Sequence, residues 1–306
     1  MTITDRICLI ANPGSGRNSR DAEAIHRALD SFGPRAELRE WSEGQSLEAT
    51  VKQALADGFG TLVAAGGDGT VMGVAQAMTA ANAPRRRMAV LPLGTFNYFA
   101  RGLGLPEDPE AAAQAILGGS VRPISVGTVN GQVFLNNASL GIYPSILKAR
   151  EAVYERFGRR RLAAHWSVIK TFLRFQHPMQ VTVTADGQSH DHRTPLIFIA
   201  RSAFQLDSFG LHGAQDISDD RFAMFIARDG GRAALFRLAW RLIRRRIEVG
   251  RDVDYIAARD IVIETRMAKP LVAFDGEKSR MRAPLTFRIL PDALDIVVPD
   301  SPDPAA

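Results

Sequence analysis

The strongest constraint on the fold of this chain is a pattern that repeats along its first 120 residues. A short apolar run ends in small residues, and a stretch with helical spacing follows. Residues 6–11 read as a strand closed by Asn12-Pro13-Gly14-Ser15-Gly16-Arg17, after which Ala22, Ile25 and Leu29 recur at helical intervals. Residues 35–41 alternate as a second strand, and 46–57 place Leu47, Val51 and Leu55 on one helical face. Residues 61–65 form a third strand ending at Gly66-Gly67-Asp68-Gly69-Thr70, and 71–80 a helix. Residues 88–92 form a fourth strand, ending at Leu93-Gly94-Thr95. This alternation predicts a parallel sheet covered by helices on both faces.

The pattern changes near residue 121. Residues 121–129 and 132–138 read as a hairpin turning at Asn130-Gly131, and 179–185 with 194–200 as another around Asp186-Gly187. Residues 221–228, 255–265, 271–274 and 284–290 are further strands, with helical insertions near 143–175 and 231–248. The expected organisation is an α/β domain over 1–122 and a β-rich, sandwich-like domain over 123–290. A C-terminal segment over 291–306 packs back on the first domain and ends in a disordered, proline-containing tail.

In a parallel sheet, the loops after the first, third and fourth strands gather at one edge, where ligands bind. Glycine lets the backbone approach a phosphate, and a helix N-terminus adds unpaired N–H groups. A single such loop reads as turn and cap chemistry, with Asp68 and Thr70 capping a helix. Neither a Walker A pattern nor a GxGxxG fingerprint is present. Three loops in register call for more than turn chemistry.

These loops resemble the signature segments of the diacylglycerol kinase catalytic domain, whose superfamily includes sphingosine and ceramide kinases. The resemblance rests on Asn12 to Gly16, on Gly66 to Thr70, and on Pro92-Leu93-Gly94-Thr95-Phe96-Asn97-Tyr98-Phe99-Ala100-Arg101. It extends to Phe274-Asp275-Gly276-Glu277, similar to a late DGE motif, and to Leu290-Pro291-Asp292-Ala293-Leu294. The implied fold is NAD-kinase/diacylglycerol-kinase-like, and the implied activity is transfer of the ATP γ-phosphoryl group to a diacylglycerol-like or sphingoid-like lipid hydroxyl.

The resemblance implies that Asn12, Pro13, Ser15, Gly16, Arg17, Gly66, Gly67, Gly69, Thr70, Gly94, Thr95, Asn97 and Arg101 hold the nucleotide. Amides and hydroxyls would hold phosphate, and Arg17 or Arg101 would add charge. Magnesium keeps several waters and needs one or two carboxylates, here Asp68 and Glu277. Asp275 is the implied base for the acceptor proton, with Asp68 as its rival. Asp219 and Asp220 resemble a second, structural metal segment, with Arg221 where glycine is common; the alternative is a solvated acidic turn. ATP and magnesium would sit between the two domains, and residues 136–143 would line the acceptor path. The chain departs from the pattern at Met72, Gly73 and Tyr98, where relatives carry an amide and two carboxylates.

Charge bears on partners. The net charge is only +5, yet 33 of the 38 basic residues are arginine, which grips phosphate through a planar fork. Residues 148–176 and 228–251 each hold eight basic and two acidic side chains, a net +6 apiece. The rest of the chain is therefore acidic. In the second segment Leu235, Leu238, Ala239, Leu242 and Ile243 share one helical face, Arg237, Arg241 and Arg245 line another, and Phe236, Trp240 and Ile247 widen the apolar side. Two readings follow, an interfacial helix on an anionic membrane and a core-facing helix with a solvated arginine face. No nucleic-acid-binding motif accompanies the charge, and His190-Asp191-His192 reads as a polar turn rather than a zinc site. The lone cysteine, Cys8, reads as a buried small hydrophobe.

The start of the chain is too short for a signal peptide, and no apolar run nears the ~18 residues that span a bilayer. The expectation is a cytoplasmic, peripheral protein at the inner membrane face, with a homodimer left open. Two alternatives stand beside the lipid kinase: an NAD-kinase-like enzyme acting on a soluble hydroxyl, and a catalytically weakened nucleotide or lipid sensor.

Overall fold

The computed structural model describes residues 5–12, 19–41, 46–81, 86–142 and 178–300. Pro13, Ser15, Gly16, Arg17 and Tyr143 lie outside the described residues, as do the insertion near 143–175, the basic segment 148–176 and the tail 301–306. The chain divides into two compact units, residues 1–126 with 290–306, and residues 127–289.

The first unit is built on β1 (Ile7–Ala11), β2 (Ala36–Glu40), β3 (Thr61–Gly66) and β4 (Arg87–Pro92). They run parallel in the order β2-β1-β3-β4, with Ala11 opposite Ala65 and Ala65 opposite Leu91. Every residue of β1 and β3 is buried, as expected of strands covered on both faces. Helices α1 (Ser19–Phe32), α2 (Leu47–Ala56), α3 (Asp68–Ala81), α4 (Tyr98–Gly102) and α5 (Pro109–Gly118) complete the unit. α1 packs on α5 and α2 on α3. Right-handed crossovers out to β2 and back across β1 to β3 set these pairs on opposite faces. Ser46 caps α2 and Asp108 caps α5, each accepting from the amide three residues on. Cys8 is wholly buried in β1, and burial pushes its thiol up to about 12, so it behaves as an inert hydrophobe.

The second unit begins within β5 (Ser120–Val129), which turns through Asn130-Gly131 into β6 (Gln132–Phe134). It continues with β7 (Asn137–Gly141), β8 (Met179–Ala185), β9 (Gln188–Thr194) and β10 (Leu196–Ala200). Helices α6 (Ala203–Phe209) and α7 (Ala214–Ser218) precede β11 (Phe222–Ala227) and α8 (Gly231–Ile243). Last come β12 (Val253–Ala258), β13 (Asp260–Thr265), β14 (Leu271–Phe274), β15 (Glu277–Arg280) and β16 (Leu285–Val298). One antiparallel sheet runs β12-β11-β10-β7-β14-β15, and in a second β13 lies between β8 and the first half of β16. Phe134 joins them, with ring centroids 5.8 Å from Phe222 of the first sheet and 6.3 Å from Phe287 of the second. The far half of β16 pairs parallel with β4 inside the first unit.

Several strand readings need correction. The partner of 179–185 across Asp186-Gly187 is β9, not 194–200, because a two-residue turn with positive φ at both positions feeds straight into the next strand. β9 is polar and exposed, so hydropathy does not mark it, and His190-Asp191-His192 lies within it. The run 255–265 is two strands in different sheets, broken at Arg259, where the amides of Arg259 and Asp260 turn to Asp186 Oδ1 at 2.9 and 3.0 Å.

After α8 the chain closes a charged knot. Arg241 Nη1 donates to Asp252 Oδ2 at 2.7 Å and approaches Glu248 Oε1 at 3.0 Å, and the Glu248 amide donates to Asp252 Oδ2 at 3.1 Å. Burial pushes the Asp252 carboxyl up, but the Arg241 and Glu248 hydrogen bonds outweigh it and hold it below its ordinary value. A depressed carboxyl stabilises the fold above its unfolded pKa, and that contribution is lost as pH falls through the folded one. Thermal melts from pH 7 down to pH 3 are therefore expected to show a shallower acid loss in Asp252→Asn than in the parent, from a lower starting point. Parallel curves would exclude the knot as an acid-labile element.

Candidate functional site

In the first unit the loops after β1, β3 and β4 leave the sheet at one level, since Gly66 pairs with Pro92 and Ala11 with Ala65. The β3 and β4 loops touch. A Cβ on Gly94 would fall 2.6 Å from the Gly67 Cα and 2.7 Å from Asn97 Oδ1. Both loops need glycine here because two backbones meet. Gly94→Ala must push them apart, at about 1–3 kcal/mol, and is expected to cut turnover at least tenfold. Gly118→Ala, with open space around its Cβ, serves as the neutral control.

Asn97 closes its loop with both ends of its amide. Its Oδ1 accepts from the Gly94 amide and its Nδ2 donates to the Gly94 carbonyl, each at 2.9 Å. This buried clasp holds Asn97 at φ 48° and starts α4. Asp68 opens α3, and its Oδ1 accepts from the Phe99 amide at 3.2 Å, tying the two helix starts together. Thr70 is buried, Gly69 half-buried and Thr95 exposed. Arg101 reaches Glu107 at 3.3 Å. Asn12 ends β1 at the same sheet edge.

The departures noted in the sequence have packing reasons. Met72 is buried, and a Cβ on Gly73 would meet the end of the Leu47 side chain of α2, which would have to turn aside. Tyr98 stacks parallel on Phe96 at 5.7 Å, the Phe96 ring being half exposed. Burial first, then the Asp68 charge, pushes the Tyr98 phenol up. Phe96 lies between Thr95 and Asn97 in the recognised loop, but nothing in its sequence surroundings marks it as a platform.

In the second unit Asp275-Gly276 is a two-residue turn between β14 and β15, at φ 44° and 88°. The Asp275 side chain is buried and accepts three amides: Leu135 at 2.5 Å, Asn136 at 2.8 Å and Asn137 at 3.0 Å. These donors sit where the expected strand 132–138 breaks into β6 and β7. The break is the price of turning those amides onto the carboxylate. Asn137 Nδ2 in turn donates to Gln205 Oε1 of α6 at 2.9 Å, both residues buried. Gln205 has no sequence signal, because its partner lies 68 residues away. Glu277, two residues beyond Asp275, is exposed.

Asp219 and Asp220 end α7. Asp219 Oδ1 accepts from Gln215 at 3.0 Å, and Asp220 pairs with the Arg201 guanidinium at 2.5 Å. Arg201 is buried, which draws its pKa down against the pull of Asp220. A guanidinium thus occupies the place of a cation, and these residues do not fit a resident metal. Among the described residues no three His, Cys, Asp or Glu side chains cluster as metal ligands. Asp68, a single carboxylate in the first unit, suits only a metal carried largely by phosphate and water, and Glu277 belongs to the second unit.

Comparisons with known proteins bear on the two units in turn. The family model described as the diacylglycerol kinase catalytic domain matches residues 6–129, and that of the YegS C-terminal NAD kinase β-sandwich-like domain matches 147–298. A Pseudomonas aeruginosa protein described as "Probable lipid kinase YegS-like" is 41% identical over 137 residues, 45% of this chain and 44% of its own length. The chain thus aligns with under half the length of that relative. A Bacillus subtilis protein described as a diacylglycerol kinase is 26% identical over 284 residues, covering 90% of this chain and 91% of its own length. A crystal structure of a diacylglycerol kinase from Bacillus anthracis shares the fold, with a TM-score of 0.73 at 23% identity, covering 100% of this chain and 99% of the other. Residues 6–129 thus belong to the diacylglycerol kinase catalytic domain family, and residues 147–298 to the family of the YegS C-terminal β-sandwich-like domain.

Proposed function

We propose that this protein transfers the γ-phosphoryl group of ATP to a lipid hydroxyl. The observation that supports it most is the register of the β1, β3 and β4 loops, which leave one sheet edge together, with the last two in backbone contact. Phosphoryl transfer requires positioning and charge stabilisation far more than covalent chemistry, and close-set loop amides with one carboxylate at a helix start supply both. The nucleotide brings the phosphoryl group, and magnesium neutralises charge on it when bound. Asp68 would face that metal.

Asp275 acts in this reading as a positioning group. At least three of its four lone-pair positions already accept amides, which leaves little capacity for a substrate proton. It fixes the turn that presents Glu277, the exposed carboxylate of the pair, and we assign the acceptor proton to Glu277 with Asp68 as its rival.

The test is transfer of radiolabelled γ-phosphate to a total lipid extract, with NAD as a parallel acceptor. Label in the organic phase supports the proposal. Label on NAD would move the assignment to an NAD-kinase-like enzyme. No transfer to either, with nucleotide still bound, would mark a weakened relative of the kind that Met72, Gly73 and Tyr98 favour.

A further inference from the structure

Helix α8 is only half explained by packing. Leu235 is buried beside Ile142, and Leu238 and Ala239 are half-buried. The same helix also turns Phe236, Trp240 and Ile243 outward, 37%, 57% and 73% exposed, one helical turn apart. Val249, beyond the helix end, is exposed as well, whereas Leu242 turns to the apolar cavity lined by Leu235, Leu238 and Ala239. The two faces expected from sequence are thus divided differently: Ile243, expected on one face with Leu235 and Leu238, is the most exposed of the outward strip.

The arginines divide as well. Arg241, Arg228 and Arg251 are engaged by Asp252, Asp254 and Glu248. Arg244 lies over the Trp240 ring at 4.4 Å. Arg237, Arg245 and Arg246 are exposed and form no ion pair among the described residues. The same segment therefore carries an exposed apolar strip with an indole at its centre and three exposed cations that form no ion pair among the described residues.

We propose that this face of α8 docks on an anionic lipid bilayer, with Trp240, Ile243 and Phe236 entering the interface and Arg237, Arg245 and Arg246 meeting the headgroups. The indole has an apolar body and a polar edge, which suits the membrane–water boundary, and cations beside it favour acidic lipids. A polyanion such as RNA would take the arginines and leave Ile243 in water. A second copy would set arginine against arginine. The proposal extends the lipid-kinase reading, since it would bring the protein to a lipid acceptor, but docking is measured without nucleotide or turnover.

The experiment is co-sedimentation of the full chain with vesicles of phosphatidylcholine alone and with 30% phosphatidylglycerol, in low and high salt. Preferential binding to the anionic vesicles, weakened by salt, is expected. Arg237→Gln/Arg245→Gln/Arg246→Gln should weaken it about 100-fold, from roughly fivefold per cation. Trp240→Ser/Ile243→Ser should weaken it at least tenfold on the same vesicles. The arginine changes fall at exposed positions, so they decide the matter if the apolar pair impairs folding, as checked by circular dichroism. Equal binding to both vesicles, or an arginine variant that binds like the parent, would overturn the proposal. So would a dimer that the Trp240/Ile243 variant dissolves in the absence of vesicle binding. Phosphoryl transfer to lipid in neutral detergent micelles separates the two readings: its loss in the parent sinks the kinase, while unchanged micellar rates in the variants leave docking as the only defect.

Discussion

Asp275→Ala is expected to lower the free energy of unfolding by about 3 kcal/mol or more and to abolish measurable phosphoryl transfer. The removed carboxylate accepts the amides of Leu135, Asn136 and Asn137. Each buried donor left without a partner costs about 1–3 kcal/mol. Asp275→Asn keeps one oxygen for Asn136 and Asn137 but turns an NH2 group toward the Leu135 amide, so an intermediate loss of stability is expected. Urea denaturation, read beside turnover per folded molecule, distinguishes the two roles of the residue. A positioning group loses stability and activity together. An Asp275→Asn protein that unfolds like the parent yet is inactive would return the proton-accepting role to Asp275 and overturn our assignment of Glu277.

The second large effect is expected at Asp68. Asp68→Asn retains an oxygen for the Phe99 amide, so α3 and α4 keep their junction and the melting temperature should stay close to that of the parent. Loss of the negative charge should lower transfer at least 100-fold, the range seen when one preorganised electrostatic group is removed from a transition state. The check is kcat at saturating nucleotide across a magnesium titration. A metal-facing carboxylate predicts that added magnesium restores part of the rate, whereas a cap alone predicts full activity at every concentration. Glu277→Gln in the same titration provides the comparison, since a proton acceptor is not rescued by metal.

How much of this was legible beforehand depended on the range of the interaction. The α/β half was readable because its signals are local. β1, β3 and β4 each announce themselves by an apolar run ended or followed within three residues by glycine, and parallel pairing then brings the loops together. The Asn130-Gly131, Asp186-Gly187 and Asp275-Gly276 turns are equally local, and all three hold both residues at positive φ. α4 and α5 carry no comparable signal: α4 is one turn begun by the Asn97 clasp, and α5 is alanine-rich with little contrast between its faces.

In the antiparallel half, pairing joins distant segments and hydropathy ceases to discriminate. β9 is an exposed, polar strand whose membership rests on hydrogen bonds to β8. The strand change at Arg259 depends on Asp186, more than 70 residues earlier. Gly73 looks like a missing functional side chain, and only the fold shows the tip of Leu47 beside it.

The amino-acid order by itself determined the doubly covered parallel sheet, the three glycine loops at its edge and the identity of their carboxylate, because strand, turn and helix preferences act over a few residues. Tertiary structure alone decided what the other groups do. It engaged Asn97 with Gly94, set Arg201 against Asp220, wrapped three amides around Asp275 from 140 residues away, and left Trp240 and Ile243 facing out. A side chain's chemistry is written in its type, but whether that chemistry is already satisfied depends on neighbours that only the folded chain brings within hydrogen-bonding distance.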